Sequence, residues 1–148
     1  MGTHYRGRPR EVRALNTYIR LMRGANSVLS RLMRRLLAQG LTENQFGVLE
    51  ILLHLGPSSP GDLKKKLLTT GGNITMILDN LEKRGLVARE RHKEDKRRLT
   101  VRLTAEGRRL VERVFPGHLA AIVAEMSVLT AAEQGTLGRL CRRLGLRE

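Results

Sequence analysis

Two clusters of basic side chains have the chemistry needed to hold a polyanion. They are a run of three lysines, Lys64, Lys65 and Lys66, and a second group of four cations, Lys93, Lys96, Arg97 and Arg98. Cations grouped in this way bind phosphates well, because each ion pair releases counterions that are condensed on a nucleic acid. The two clusters therefore predict binding to a phosphate backbone.

The same chain lacks the sequence patterns of enzymes and metal centres. It has no Gly-x-Ser-x-Gly stretch and no Gly-rich loop followed by Lys and Ser or Thr, since TTGGNIT lacks that lysine. Its histidines are too dispersed for metal-ligand spacing: His4, His54, His92 and His118. We expect no enzymatic activity, no cofactor and no metal site.

Cys141 is the only cysteine of the chain. A single thiol excludes a disulfide within one chain and a thiolate zinc knuckle. Cys141 follows Leu140 on the last predicted helix. We interpret it as a packed, inert thiol at a dimer seam rather than as a redox sensor.

The charge of the chain is distributed unevenly. The 148 residues carry a net charge of +14, with nine basic and one acidic side chain in residues 1–35 and nine and three in residues 83–102. Residues 36–82 hold only three basic against five acidic side chains. Such focusing is typical of an electrostatic footprint, because charges reinforce one another only within about a Debye length. A merely solvated basic surface is the alternative.

The composition predicts one folded domain. Hydrophobic residues make up 41% of the chain, which excludes general disorder. No run of 18 or more apolar residues and no secretory segment occurs in it. We therefore expect a nucleic acid rather than a membrane as the polyanion, and a cytoplasmic location.

Apolar periodicity predicts six helices that position these residues. The first covers 11–39, the second runs from the Thr42–Gln45 capping box to Gly56, and the third is a short stretch from the Ser59 N-cap through Leu68. The fourth begins after Thr70 and runs to Arg84, the fifth runs from Thr104 through Leu129 with a kink near Pro116, and the last is capped by Thr130 and Glu133. Alternating residues at about 86–104 predict a β-hairpin whose tip holds the second basic cluster. Residues 1–9 are predicted to be a flexible basic arm.

The order of these elements predicts a winged helix-turn-helix. The fourth predicted helix, which ends at Arg84, has an outer face of small or hydrogen-bonding residues rather than Glu and Lys: Gly72, Asn73, Thr75, Met76, Asp79 and Asn80. An α-helix fits the DNA major groove, and an arginine on a hairpin tip enters the minor groove beside it. The pattern therefore favours double-stranded DNA.

The sequence resembles the multiple antibiotic resistance regulator (MarR) family. The similar stretches are LTENQFGVLEILLHLGP, LLTTGGNITMILDNLEKRGLV and EDKRRLTVRLTAEG. The resemblance implies a mainly α fold with a small β-hairpin wing, in a single domain over 1–148. Dimerisation helices at 11–40 and 105–148 would flank a DNA-binding lobe at 41–104.

The wing motif of that family is the most specific part of the resemblance. Here it is met by Asp95, Arg97, Leu103, Thr104 and Gly107. The resemblance makes Arg97 the minor-groove residue and Asp95 a structural residue of the wing. Together with the basic clusters, the predicted DNA-binding residues are Ser59, Lys64, Lys65, Thr70, Gly72, Asn73, Thr75, Met76, Lys93, Lys96, Arg97 and Arg98.

The resemblance also implies how such a protein works. We expect a sequence-specific, ligand-responsive repressor that binds a pseudo-palindromic operator as a homodimer. A small aromatic or phenolic compound is the implied effector, but the sequence does not identify its pocket. The alternative is a basic RNA-binding or ribosome-associated protein, which an aromatic content of 3% disfavours, because single-stranded RNA is bound by stacking.

Overall fold

The computed structural model describes residues 2–68 and 73–147, and it is a mainly helical structure with one β-hairpin. The elements are α1 (Pro9–Ala38), α2 (Glu43–Leu55), α3 (Pro60–Lys66), α4 (Ile74–Lys83), β1 (Val87–Arg91), β2 (Leu99–Leu103), α5 (Ala105–Met126) and α6 (Ala131–Leu146). The predicted fold class, mainly α with a hairpin wing, is confirmed.

Both predicted capping boxes are present. Thr42 accepts a hydrogen bond from Gln45 N through Oγ1 (3.2 Å), and Gln45 Oε1 accepts one from Thr42 N (3.0 Å). Thr130 and Glu133 form the same reciprocal pair at the start of α6. Each box satisfies backbone N–H groups that the first helical turn leaves without a partner. The starts of α2 and α6 are therefore determined by local sequence.

The hydrophobic core lies in the middle of the chain. Its buried side chains are Leu36, Leu41, Phe46, Val48, Leu49, Leu52, Leu63, Leu78, Leu81, Leu86, Val87, Val101, Val111 and Val114. They come from the end of α1, from the residues between α1 and α2, from α2 to β2, and from the first half of α5. By contrast α6 contributes none among its described residues, Ala131–Leu146. The core thus belongs to the hairpin and the helices around it.

Four predicted boundaries were wrong. The short helix ends at Lys66, and Leu68 is 92% exposed rather than part of an apolar stripe. The next helix begins at Ile74 rather than directly after Thr70, because Asn73 supplies its N-cap. α5 ends at Met126, so Leu129 lies in the connection to α6. The first helix begins at Pro9, two residues before the predicted start.

The N-terminal residues contact the first helix. Thr3 N donates to Asn16 Oδ1 (2.7 Å), and Tyr5 Oη donates to Glu11 Oε2 (3.0 Å). The predicted arm is therefore folded back along α1.

Among the described helices none is both long and apolar enough on its own to span a membrane; α5 and α6 meet those criteria only jointly, as a pair bent by 97°.

The start of α5 is held close to the hairpin. Thr104 Oγ1 accepts from Gly107 N (3.0 Å) and donates to the carbonyl of Gly85 (2.6 Å). A Cβ atom at Gly107 would collide with the backbone carbonyl of Leu86. This approach explains why glycine stands at the position of the wing motif that follows Leu103 and Thr104.

Candidate nucleic-acid interface

α3 carries the first basic cluster on its exposed side. Ser59 Oγ accepts a hydrogen bond from Asp62 N (3.2 Å), and Pro60 occupies the first helical position. Leu63 is fully buried, which orients the helix. The side chains of Lys64 and Lys65 are consequently exposed.

α4 buries one face and presents the other to solvent. Leu78 and Leu81 pack into the core, and Ile74 and Ile77 lie against it. Thr75 is exposed, and Met76 is 68% exposed. Two more predicted contact residues of this region, Thr70 and Gly72, lie outside the described residues.

Asn73 has a role that the sequence analysis did not anticipate. Its Oδ1 accepts hydrogen bonds from Thr75 N (3.0 Å) and Met76 N (3.4 Å) and so caps α4. An Asn side chain has one acceptor oxygen and an amide group with two donors. Because the oxygen caps the helix, the side chain of Asn73 can offer another molecule only its amide N–H groups.

The outer face of α4 is partly engaged within the protein. Asn80 Oδ1 accepts from Gln45 Nε2 (2.9 Å), which ties this face to the start of α2. Arg84, at the end of α4, donates to the carbonyl of Gly40 (2.8 Å). The C-terminal half of α4 is therefore held against the start of α2 and the residues before it, while Thr75 and Met76 remain exposed.

The hairpin is an antiparallel pair with Val87 opposite Leu103 and Arg91 opposite Leu99. Backbone hydrogen bonds in both directions between Ser58 and Val101 attach β2 to the residue before the α3 N-cap (3.0 and 2.8 Å). This attachment sets the base of the hairpin beside α3.

The tip of the hairpin is a hydrogen-bonded turn. Asp95 Oδ1 accepts from Arg97 N (3.0 Å), and the Asp95 carbonyl accepts from Arg98 N (3.0 Å). Arg91 donates to the carbonyl of Lys96 (3.0 Å). The four basic side chains of the tip, Lys93, Lys96, Arg97 and Arg98, are all exposed.

An open cleft lies between the start of α3 and the hairpin. Its volume is about 730 Å³. It is lined by Ser59, Pro60, Gly61, His92, Arg97, Arg98, Leu99 and Thr100. The fold therefore brings Ser59 together with Arg97 and Arg98, although they are distant in sequence.

An ion-pair cluster that sequence reasoning missed connects α4 to the hairpin. Arg89 Nη2 lies 2.7 Å from Asp79 Oδ1 and 3.0 Å from Glu82 Oε1. Arg89 also donates to Glu82 Oε2 from Nε (3.2 Å) and from its backbone N (3.2 Å). Hydrogen bonding to Arg89 lowers the pKa of Glu82. The sequence carried no signal for this contact, because it depends on how β1 turns back along α4 after Gly85.

The N-terminal charge excess lies elsewhere. Arg10 and Arg13 of α1 line a surface depression with Tyr18 and with Leu144 of α6, and no residue of α3 or the hairpin lines it. Within 2–68 and 73–147, no three His, Cys, Asp or Glu side chains are close enough to hold a metal ion.

Comparisons with known proteins agree with this geometry. Residues 41–99 match the MarR family. The HTH-type transcriptional regulator YkoM of Bacillus subtilis is 32% identical over 134 residues, covering 90% of this chain and 87% of YkoM.

Two solved structures are also similar. The MarR-family regulator Sco3205 of Streptomyces coelicolor, solved in complex with DNA, has a TM-score of 0.81 at 26% identity, covering 96% of this chain and 90% of Sco3205. BpsR of Bordetella bronchiseptica, whose DNA binding is regulated by 6-hydroxynicotinic acid, has a TM-score of 0.76 at 26% identity. The match covers 84% of this chain and 89% of BpsR. The chain therefore belongs to the MarR family of transcriptional regulators.

Proposed function

We propose that this protein is a repressor that binds double-stranded DNA sequence-specifically, as a homodimer on a pseudo-palindromic operator. The observation that carries the proposal is the exposed edge of α4 beside a basic hairpin, with the Ser59–Arg97 cleft between the hairpin and α3. An exposed helix edge suits the major groove, and arginines at a hairpin tip suit the narrower minor groove. The complex of Sco3205 with DNA supports DNA over RNA as the ligand.

The contacts divide into two kinds. Phosphate contacts would come from exposed cations and from residues at the start of α3: Ser59, Lys64, Lys65, Lys93, Lys96 and Arg98. Base contacts would come from the start of α4 and the residues before it: Thr70, Gly72, Asn73, Thr75 and Met76. Arg97 would enter the minor groove, with the turn at Asp95 holding the wing in shape.

Dimerisation would use the helices at the two ends of the chain. We propose a single domain over 1–148 in which residues 11–40 and 105–148 pair with a second copy and residues 41–104 bind DNA. Tyr18 on α1 is 61% exposed and Leu144 on α6 is 63% exposed. Exposed apolar side chains such as these favour an interface with another surface that covers them. We propose a cytoplasmic location and a role in transcriptional regulation rather than in catalysis.

A cavity between α1 and α5 suits an anionic effector. Its volume is about 460 Å³, and Arg35, Gln39, Arg113 and His118 are among its lining residues. Two guanidinium groups facing one cavity favour a carboxylate. Because BpsR responds to 6-hydroxynicotinic acid, we propose a small aromatic acid as the effector of this chain. An aromatic acid should raise the thermal stability of the wild type but not of Arg113→Ala.

Gel shifts that compare a selected palindromic duplex with single-stranded RNA of equal length test the main proposal. We expect tight, salt-dependent binding to the duplex and weak binding to the RNA. A preference for the RNA would favour the basic RNA-binding alternative.

A further inference from the structure

Arg89 lies between the two parts of the proposed DNA-binding surface. It stands in the middle of β1, and its guanidinium contacts Asp79 and Glu82 of α4. Its side chain is only 23% exposed, unlike the cations at the hairpin tip, which are exposed. Arg89 is therefore oriented toward α4.

The covalent link between α4 and β1 is short and contains a glycine. Arg84 caps the helix, and Gly85 has a φ of +71°, a conformation that glycine adopts without strain. The base of the hairpin is attached to the residue before the α3 N-cap by the Ser58–Val101 hydrogen bonds, and the pairing of its two strands continues to Leu86 and Thr104. Arg89 adds a side-chain contact on the α4 side, between the base and the tip.

The two acids that Arg89 contacts lie on α4 three residues apart, so they face the same side of the helix. Without a cation they would place negative charge on an element that is proposed to approach phosphates. Pairing with one guanidinium compensates this charge and fixes the orientation of both carboxylates.

We propose that Arg89 is a positioning residue that holds the wing and α4 at one angle, so that both enter their grooves together. The inference rests on the proposed DNA-binding function. Groups that are already oriented lose less conformational freedom on binding, so the contacts made by the wing and by α4 should be cooperative. A residue that positions others without touching DNA should affect discrimination more than salt dependence.

The test compares Arg89→Gln with Arg102→Gln in the full-length protein. Arg102 is the matched control, because its exposed ion pair with Glu90 (2.6 Å) lies within the hairpin and does not reach α4. For Arg89→Gln we expect a roughly ten-fold drop in the ratio of specific to random-duplex affinity, with the salt slope unchanged. For Arg102→Gln we expect an unchanged ratio.

A charge exchange separates positioning from direct contact. The double variant Arg89→Glu with Glu82→Arg restores an ion pair in reversed order, and we expect it to recover part of the discrimination that Arg89→Glu alone loses. If Arg89 instead contacts phosphate, Arg89→Gln will lower the salt slope by about one and the exchange will not recover binding. That result would overturn the inference, as would an unchanged affinity ratio.

Two further measurements keep the outcomes distinct. Circular dichroism and thermal melting identify a variant that fails to fold; in that case Arg89→Lys, which retains the charge but not the forked geometry, replaces Arg89→Gln and should give an intermediate loss. If the wild type itself does not prefer a duplex, the proposed function fails. If the wild type binds specifically and Arg89→Gln does so equally well, only this inference fails.

Discussion

The role of some residues is determined by nearby residues in the sequence. The role of others depends on the fold. The caps at Thr42 and Thr130 were predictable, because both partners lie within one helical turn. The pairing of Arg89 was not, because its partners lie on another element. Asn73 lies between these cases, since its type favours capping but its position fell inside the predicted helix.

Asn73 serves as a cap and as a proposed base contact, and two substitutions separate these roles. Asn73→Ala should lower the free energy of unfolding by about 1 kcal/mol, because the N–H groups of Thr75 and Met76 lose their acceptor. Asn73→Ser keeps a capping oxygen and should retain most of that stability while losing the amide donors. Denaturation and operator binding measured on both variants check this. Equal stability of all three proteins would contradict the capping role.

His118 predicts a dependence of stability on pH. Burial lowers the pKa of His118 from 6.5, and of the charged groups near it Glu50 opposes this while Arg35 adds to it. Nδ1 of His118 is buried without a hydrogen-bond partner among the described residues. The imidazole ring packs on the ring of Phe46, with 4.5 Å between the two ring centroids. The folded state therefore resists protonation that the unfolded chain accepts, so the free energy of unfolding should fall as the pH drops below about 6.5. His118→Phe should show a smaller fall in denaturation measured across this range; an equally steep fall would contradict the assignment.

At the scale of elements, the hairpin and the start of α5 depend on one close approach. The sequence predicted the helix start at Thr104, but the contact of Gly107 with Leu86 became visible only when the strand and the helix were placed together. The hairpin itself followed from alternation, whereas the shorter α3 and the later start of α4 did not follow from apolar spacing. The end of α3 and the start of α4 depend on tertiary packing more than on apolar periodicity.

Two glycines of α5 should respond oppositely to the same substitution. Gly107→Ala should destabilise the protein by about 1–3 kcal/mol, because the new methyl group overlaps the Leu86 carbonyl. Gly117→Ala, where a Cβ meets no described atom within 4 Å, should stabilise it by roughly 0.5–1 kcal/mol through helix propensity. Chemical denaturation measures both. A stable Gly107→Ala variant would mean that the hairpin and α5 are less closely packed than described.

At the scale of the whole molecule, the distribution of the core predicts a dimer. The described residues of α6 bury no side chain within the chain, and Leu144 is 63% exposed. A charge placed there should oppose pairing without affecting the core, so Leu144→Arg should sediment as a monomer and bind the operator weakly. Leu55→Arg, on an equally exposed residue of α2, is the control and should remain dimeric. A monomeric wild type would contradict the assignment of the terminal helices.

On the proposed DNA-binding surface, we expect α4 to read bases and the wing to read the minor groove. The most direct test measures the affinities of wild type, Thr75→Ala, Arg97→Ala and Lys65→Ala for a selected operator, for its single-base variants, and for A·T-rich and G·C-rich flanks. We expect Thr75→Ala to cost about 1–3 kcal/mol on the operator and little on random DNA. Arg97→Ala should flatten the preference for A·T flanks, and Lys65→Ala should weaken all duplexes alike and lower the salt slope by about one. An Arg97→Ala variant that keeps its flank preference, together with a Thr75→Ala variant that weakens every sequence equally, would contradict the account.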